Sequence, residues 1–372
     1  MSEYNLVMLD QNAKSIGSIN ATGFSIALKE NTIGALVLTM LEDFGIDQLP
    51  RDTMFEVWRK PNGGEWGILG NTRFFLRKAT MVYNSPDNNY WDIACDSALG
   101  ILARRIVGYK RTTSYADKTL ETGANGTADD LIKAYARENF GTLATDTDRD
   151  LSTYLTIDAD TSEGYSTEKE AAYMNVLEVI DDLAENSANN DINIYYDVVN
   201  YGSKFRLFTK IDRLGMDRTR GSNSPVIFST ELGNITDVKL ETDYSDEKNF
   251  CYVGGENQDA LRLIEEVSDI TRIAKSPYNR AEVFHDAREL GVPSVLQEEG
   301  STRLEQHRPK IKVSARTVDT NLYRFGKDYD YGDTVTVSVA KSEFTCHVTS
   351  VTIKVTGGKE DIDIRLEGEQ DL

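Results

Sequence analysis

The C-terminal part of the chain alternates apolar and polar residues in four segments: KIKVSA, DTVTVSVA, HVTSVTIKV and DIDIRLEG. In DIDIRLEG, the apolar residues Ile362, Ile364 and Leu366 alternate with charged residues. Successive side chains of a strand point to opposite faces, so this pattern predicts an antiparallel sheet with one buried and one solvated face. Any fold of the chain must therefore contain this C-terminal sheet.

The N-terminal part also reads as strands, in GFSIALKE, ALVLTM, MFEVWRK and RFFLRKATMVY, with turn signals in KPNGGEWG and NSPDNN. The middle of the chain differs, because DLIKAYARENFG and STEKEAAYMNVLEVIDDLAEN place apolar residues at helical spacing. Thr167 and Glu170 have the spacing of a capping box for the second helix. Strands INIYYDVV and KFRLFTKI follow, which makes this region mixed α/β.

This order predicts an α+β multidomain protein, in which the segments of one domain need not be contiguous. We expect a first β domain at 1–115, an α/β domain at 116–224 and a second β domain at 225–372. A helical insert near 268–309 is expected inside the second β domain. Short strands at this spacing are typical of a barrel or a sandwich.

The chain is strongly acidic, with 61 Asp and Glu residues against 41 Lys and Arg residues and a formal charge of −20. Such a surface repels nucleic acid and anionic lipid, which argues against a sequence-specific DNA-binding protein. The three cysteines are widely spaced without a CxxC pair, a pattern that fits a reducing compartment. We find neither a signal peptide nor an apolar run long enough to span a membrane.

Half of the net charge of −20 lies in residues 146–186, where twelve acids are opposed only by Arg149 and Lys169. One interpretation is a solvated helix face and loop, and the other is an acidic wall that repels a polyanion. The candidate wall residues are Asp158, Asp160, Glu163, Asp181 and Asp182. An EF-hand is ruled out, because DADTSEGYSTEKE has glutamate at its sixth position and lysine at its twelfth. A calcium site of another type stays open.

Motifs for catalysis or cofactor binding are missing from the sequence. It contains no phosphate-binding glycine loop, no G-x-S-x-G elbow and no histidine or cysteine spacing typical of zinc. VGGEN is better interpreted as a hairpin turn than as a nucleotide loop. We therefore predict no catalytic residues, no cofactor and no metal.

The stretch RAEVFHDAREL (280–290) places one of only three histidines beside an aspartate. In an extended segment, His285 and Asp286 would point to opposite faces and could not form a catalytic dyad. We interpret the stretch as structural, with Asp286 and Arg288 holding the junction between the second β domain and its helical insert.

Several stretches together resemble the hub proteins at the distal tail tip, or baseplate, of siphophages. In chain order they are DLIKAYARENFG, VLEVIDDLAEN, VIFSTELGNI, CYVGGEN, AEVFHDARE and KDYDYGDTVTV. The resemblance is strongest from about residue 90 to the C-terminus. One departure is His285, which stands where this family is expected to have an apolar residue.

The resemblance implies two tube-like antiparallel β-barrel domains, a mixed α/β region between them and a homotrimeric assembly. It also implies a structural, non-enzymatic role at the distal end of the virion tail, after assembly in the host cytoplasm. The implied partners are the distal tail protein ring, the tape-measure protein and receptor-binding or fibre proteins. DNA would pass through an axial channel without specific binding, and the acidic residues would line that channel.

The structural and interface candidates are Arg104, Arg105, Gly254, Gly255, Asp286 and Arg288. Two other functions remain as alternatives. A carbohydrate-binding or receptor-binding baseplate protein would show an exposed aromatic platform. A cell-wall hydrolase would need a carboxylate pair that the sequence does not mark.

Overall fold

The computed structural model describes residues 2–83, 89–108, 125–144, 147–169, 171, 173–190, 192–257, 261–288, 290–318 and 322–371. The predicted boundary between 115 and 116 lies outside these residues, and so does Glu289 of the AEVFHDARE stretch. The described chain forms two compact units, one from Met1–Asp237 with Ala315–Glu367 and one from Val238–Ser314 with Gly368–Leu372.

The described elements are mainly strands, as the alternation predicts. The N-terminal strands are β1 (Glu3–Leu9), β2 (Ser15–Ile19), β3 (Gly23–Lys29), β4 (Thr32–Leu41), β5 (Met54–Lys60), β6 (Gly67–Ile68), β7 (Phe74–Tyr83) and β8 (Asn89–Ser97). The mixed region has β9 (Asn125–Thr127), α1 (Ala128–Phe140), β10 (Leu155–Ile157), β11 (Ser166–Glu168), α2 (Val176–Ala188), β12 (Ile194–Tyr201) and β13 (Lys204–Ile211).

The remaining elements follow in chain order. They are β14 (Asp217–Arg218), β15 (Ile227–Ser229), β16 (Ile235–Asp243), β17 (Phe250–Gly254), β18 (Ile264–Ser268), α3 (Ile270–Ile273), β19 (Glu282–Asp286), α4 (Pro293–Gln306), β20 (Lys310–Thr317), β21 (Thr334–Val339), β22 (Ser342–Thr356) and β23 (Lys359–Asp371). The predicted mainly β composition with a few helices is confirmed.

A fifteen-stranded sheet joins the two ends of the chain. Its main path is β16-β20-β23-β22-β3-β4-β8-β7-β5-β1-β2, with β21 beside β22. Strand β22 changes partner along one edge, because 342–347 pair with β21 and 350–356 pair with β3. The described strands do not close into a barrel, so the two-barrel expectation stays a prediction, as does the three-domain division.

The alternation of the terminal strand has the predicted effect on burial. Ile364 is 1% exposed and Leu366 is fully buried, whereas Asp361 and Arg365 are exposed. Burial of apolar side chains on one face stabilises the sheet by roughly 1.5–3 kcal/mol for each large residue.

The mixed region packs α1 and α2 against the three-stranded sheet β10-β13-β12. The predicted capping box of the second helix is wrong, because Thr167 lies in strand β11, and Glu170 is outside the described residues. Tyr173 has a positive φ of 60°, which ends any helix before it. The helix instead begins after Asn175, whose side chain accepts a 2.9 Å hydrogen bond from the Leu177 amide.

The smaller unit contains a three-stranded sheet with β17 in the centre, antiparallel to β18 and parallel to β19. Helix α4 covers one face of this sheet, and the shared core includes Cys251, Val253, Leu296 and Leu304. Helix α4 lies within residues 268–309, where the sequence predicts a helical insert. Pro293 occupies its first turn, where proline fits because the amide has no partner in the helix.

Candidate functional site

The RAEVFHDAREL stretch forms strand β19, which runs parallel to β17. Val283 packs against the core shared with α4, and His285 Nε2 lies 3.6 Å from Glu299 Oε2 on that helix. Asp286 is two-fifths exposed and points to the other face. The expected separation of His285 and Asp286 is therefore confirmed, and the two side chains form no dyad.

Asp286 is the centre of a small cluster at the end of β19. It accepts a hydrogen bond from Arg262, and its Oδ2 lies 2.9 Å from Arg288 Nε. Slight desolvation opposes ionisation, but the two guanidinium groups outweigh it and lower the pKa of Asp286. Arg262 also donates to the Gly254 carbonyl at 2.9 Å. Asp286 and Arg288 are thus paired with each other, and Arg262 is a third member of the cluster that no sequence pattern indicated.

Both glycines of VGGEN lie where other groups approach the backbone. A Cβ on Gly254 would be 2.6 Å from the Arg262 guanidinium carbon. A Cβ on Gly255 would be 2.5 Å from the Leu290 carbonyl oxygen and 2.7 Å from Leu296 on α4. These glycines allow the loop after β17 to pack closely, and they do not form a phosphate loop.

Arg104 and Arg105 lie in different surroundings. Arg105 donates to the carbonyl oxygens of Asn139, at 2.7 Å, and of Arg149, and its guanidinium lies 4.7 Å from the Phe140 ring centroid. Desolvation and the nearby Arg149 lower its pKa. Arg105 thus fastens the segment after β8 to the C-terminal end of α1, where cations are favourable. Arg104 is exposed and lines a cleft of about 360 Å³.

Two of the five acidic candidates, Asp158 and Asp160, pair with arginines. Asp158 makes a two-pronged contact with Arg206, at 2.7 and 2.6 Å. Asp160 pairs with Arg137. These arginines lie outside residues 146–186, so a count over that stretch overstates its uncompensated charge.

The other three candidates are Asp181 and Asp182 on α2 and Glu163 in the segment before β11. Asp182 pairs with Lys169 Nζ at 2.7 Å. Asp181 accepts a hydrogen bond from Tyr196, but desolvation and its acidic neighbours raise its pKa. Glu163 is exposed and accepts a 3.2 Å hydrogen bond from Thr161. Three of the five carboxylates, those of Asp158, Asp160 and Asp182, are therefore compensated by a neighbouring cation.

A cleft of about 620 Å³ includes Asp158 and the YDYGD stretch (329–333) in its wall. Asp333 is 3% exposed and accepts hydrogen bonds from Arg218 Nε at 2.5 Å and from the Met216 amide at 2.7 Å. Asp197 lies in the same wall, and its desolvation raises its pKa to about 7. A hydrogen bond from the Val198 amide acts in the opposite direction but is the weaker effect. The hydrogen bonds of Asp333 to Met216 and Arg218 fix the connection before β14. The sequence pattern did not indicate this structural role.

Among the described ranges, no group of three or more histidine, cysteine, aspartate or glutamate side chains is arranged to hold a metal ion. The three cysteines are free thiols and are buried. No described helix is long and apolar enough to cross a membrane.

Comparisons with solved structures give the fold. The prophage tail protein gp18 from Listeria monocytogenes EGD-e is 10% identical, with a TM-score of 0.51, 98% of this chain covered and 94% of that chain. The prophage MuSo2 43 kDa tail protein from Shewanella oneidensis is 10% identical, with a TM-score of 0.50 and coverages of 97% and 98%. A tail protein from Neisseria meningitidis MC58 is also 10% identical, with a TM-score of 0.50 and coverages of 98% and 96%.

No curated protein matches the chain. The model of the family described as Siphovirus ReqiPepy6 Gp37-like protein matches residues 72–366, which is most of the chain. The resemblance to siphophage tail proteins is confirmed by this match. The chain therefore belongs to the Siphovirus ReqiPepy6 Gp37-like protein family, a family of siphovirus tail proteins.

Proposed function

We propose that the chain is the structural hub of a siphophage tail tip and assembles as a homotrimeric ring around an axial channel. The family match over residues 72–366 carries this proposal. The likeness to three tail proteins supports it, because in each case it extends over nearly the full length of both chains. The role is mechanical and non-enzymatic.

The open edges of the large sheet support assembly from several copies. Within the described residues, the path of this sheet ends at β2 on one side and at β16 on the other. Exposed strand edges carry backbone groups that can pair with another chain. In the proposed ring, the two β-rich regions, 1–115 and 225–372, act as tube-forming barrel domains. Three copies then supply six such domains, which matches the sixfold symmetry of a tail tube.

The charge of the chain supports passage of DNA without tight binding. Its formal charge of −20 offers few of the cationic contacts that hold phosphates. Glu163 and Asp181 are exposed, their hydrogen bonds are to neutral side chains, and neither is in an ion pair with another described residue. We place them in the channel lining with Asp158, Asp160 and Asp182, whose ion pairs reduce their share of the field.

In this proposal the hub joins the distal tail ring above to receptor-binding or fibre proteins below. It holds back the tape-measure protein and DNA until adsorption opens the exit. Arg104, Arg105, Gly254, Gly255, Asp286 and Arg288 are proposed to keep the joints of each subunit rigid during this change.

A cryo-electron microscopy reconstruction of the assembled tail tip tests the proposal. We expect three copies of this chain around the tail axis, directly below the distal tail ring. Native mass spectrometry of the purified chain should show a species of three times 41.6 kDa if the ring forms without partners. A reconstruction that places the chain away from the tail axis would refute the proposed function.

A further inference from the structure

Helix α4 covers only one face of the three-stranded sheet of the smaller unit. Helix α4 packs on Cys251 and Val253, so the alternate residues of β17 point to the opposite side. We define this opposite side as the open face. By strand register it consists of Phe250, Tyr252, Gly254, Ile264, Glu266, Ser268, Glu282, Phe284 and Asp286.

Phe284 and Ile264 are accessible on the open face, whereas Phe250 is only 6% exposed. Phe284 is 52% exposed and Ile264 is 43% exposed. Tyr252 is half-buried and is the register partner of Phe284 on the neighbouring strand. The RAEVFHDAREL stretch thus contributes the phenyl ring of Phe284, and not the imidazole of His285, to the open face.

Arginine side chains fix the rings of the open face. The guanidinium carbon of Arg280 lies 3.7 Å from the Phe250 ring centroid, and that of Arg262 lies 5.2 Å from the Phe284 centroid. Arg280 also donates to the Tyr252 hydroxyl at 3.3 Å. Cation–π contacts of this kind hold rings in place. The face therefore presents planar aromatic groups beside planar hydrogen-bonding groups.

The open face is neutral, although the whole chain is strongly acidic. Three guanidinium groups that contact residues of the open face equal the three carboxylates on it in number: Arg262, Arg280 and Arg288 against Glu266, Glu282 and Asp286. Arg280 pairs with Glu282 at 2.6 Å, and Asp286 pairs with two arginines. This balance offers no net attraction to a polyanion or a polycation, so an uncharged ligand fits the face best.

The size of the open face also limits the ligand. Three strands about 4.8 Å apart with five residues at about 3.3 Å each give an area on the order of 200 Å². A stable protein–protein interface needs about 800 Å² from each partner. A second copy of the chain or another tail protein would therefore need much more surface than this face supplies, whereas a short chain of sugar rings would not.

We propose that the open face binds a short, uncharged oligosaccharide. The C–H side of a sugar ring would stack on Phe284 and Tyr252. The hydroxyl groups of the sugar would donate hydrogen bonds to the carboxylates of Glu266 and Glu282 and accept hydrogen bonds from the Arg280 guanidinium. The proposal gives the hub a recognition site in addition to its mechanical role, and it does not depend on the trimer.

The test begins with the full chain on an array of neutral, sulfated and phosphorylated oligosaccharides. We expect neutral glycans to bind. Calorimetry with the best neutral glycan then compares the unmodified chain with Phe284→Ala, Phe284→Leu and the control Tyr278→Ala. Tyr278 is 93% exposed in the same unit but lies outside the open face, so its loss should change the Kd less than twofold. Both Phe284 variants should raise the Kd at least tenfold, because leucine keeps apolar bulk but cannot stack.

Circular dichroism of each variant separates loss of binding from loss of folding, and Phe284→Leu is the milder change if Phe284→Ala unfolds. Three results would overturn the proposal. The first is an array without a neutral ligand. The second is unchanged affinity in a folded Phe284 variant. The third is a preference for sulfated or phosphorylated glycans that weakens with salt.

Discussion

Gly300 gives a case in which the sequence and the structure predict opposite effects of one substitution. It lies in the middle of α4, and glycine there costs about 1 kcal/mol of helix stability relative to alanine. From the sequence alone, Gly300→Ala should therefore stabilise the protein. In the structure, however, a Cβ on Gly300 would lie 2.5 Å from Val267 Cγ2 and 2.8 Å from Val253 Cγ2.

The magnitude follows from these two effects. Both distances are far below the ordinary carbon–carbon contact of about 3.5–4.0 Å. Valine side chains are stiff at χ1, so relief requires α4 to move away from the sheet. Overpacking of this kind costs about 1–3 kcal/mol. Because both contacts are this short and the valines are stiff, we take the upper part of that range, about 2–3 kcal/mol. Subtracting the helix gain of about 1 kcal/mol leaves an expected loss of about 1–2 kcal/mol in the free energy of unfolding of Gly300→Ala.

Urea unfolding and native-state hydrogen exchange of the β17 amides measure this effect within the smaller unit. Ser301→Ala is the matched control, because Ser301 is exposed on the same helix and should change stability by less than about 0.5 kcal/mol. Faster exchange in β17 for Gly300→Ala alone would support the packing argument. A Gly300→Ala protein as stable as the unmodified chain would refute it.

Three further predictions concern charged groups. Asp129→Ala should lower the free energy of unfolding by about 3–5 kcal/mol in urea, because it leaves the Lys133 ammonium, 1% exposed, without its carboxylate partner; a loss below about 1 kcal/mol would contradict this. Burial and the charge of Glu367 raise the pKa of Glu30 to about 8, so the folded state binds this proton more tightly than the unfolded state. Stability should fall as pH rises from about 4.5 through 8, and Glu30→Gln should flatten that part of the Tm profile; an unchanged profile would argue against it. Asp286→Ala should reduce the number of complete tails counted by electron microscopy, and normal tails would count against the joint assigned to it.

The candidate site was predictable from the sequence only where the interacting residues are close along the chain. The Asp286–Arg288 pair spans two residues, so it could be foreseen. Arg262 reaches Asp286 only because β18 and β19 flank β17. In the same way, Arg206 and Arg137 reduce the charge of an acidic stretch that, taken by itself, is almost uncompensated.

The sequence by itself determined the strands and the main helices, because a two-residue or a 3.6-residue period of apolar residues is a local property. It also determined the family, through stretches in a characteristic order. The start of α2 needed more, because the pairing of Ser166–Glu168 with β9 overrides a capping signal. Only the tertiary structure decided that β22 joins the two ends of the chain in one sheet, and that a neutral aromatic face lies opposite α4. Those features depend on strand register between distant segments, which no local pattern specifies.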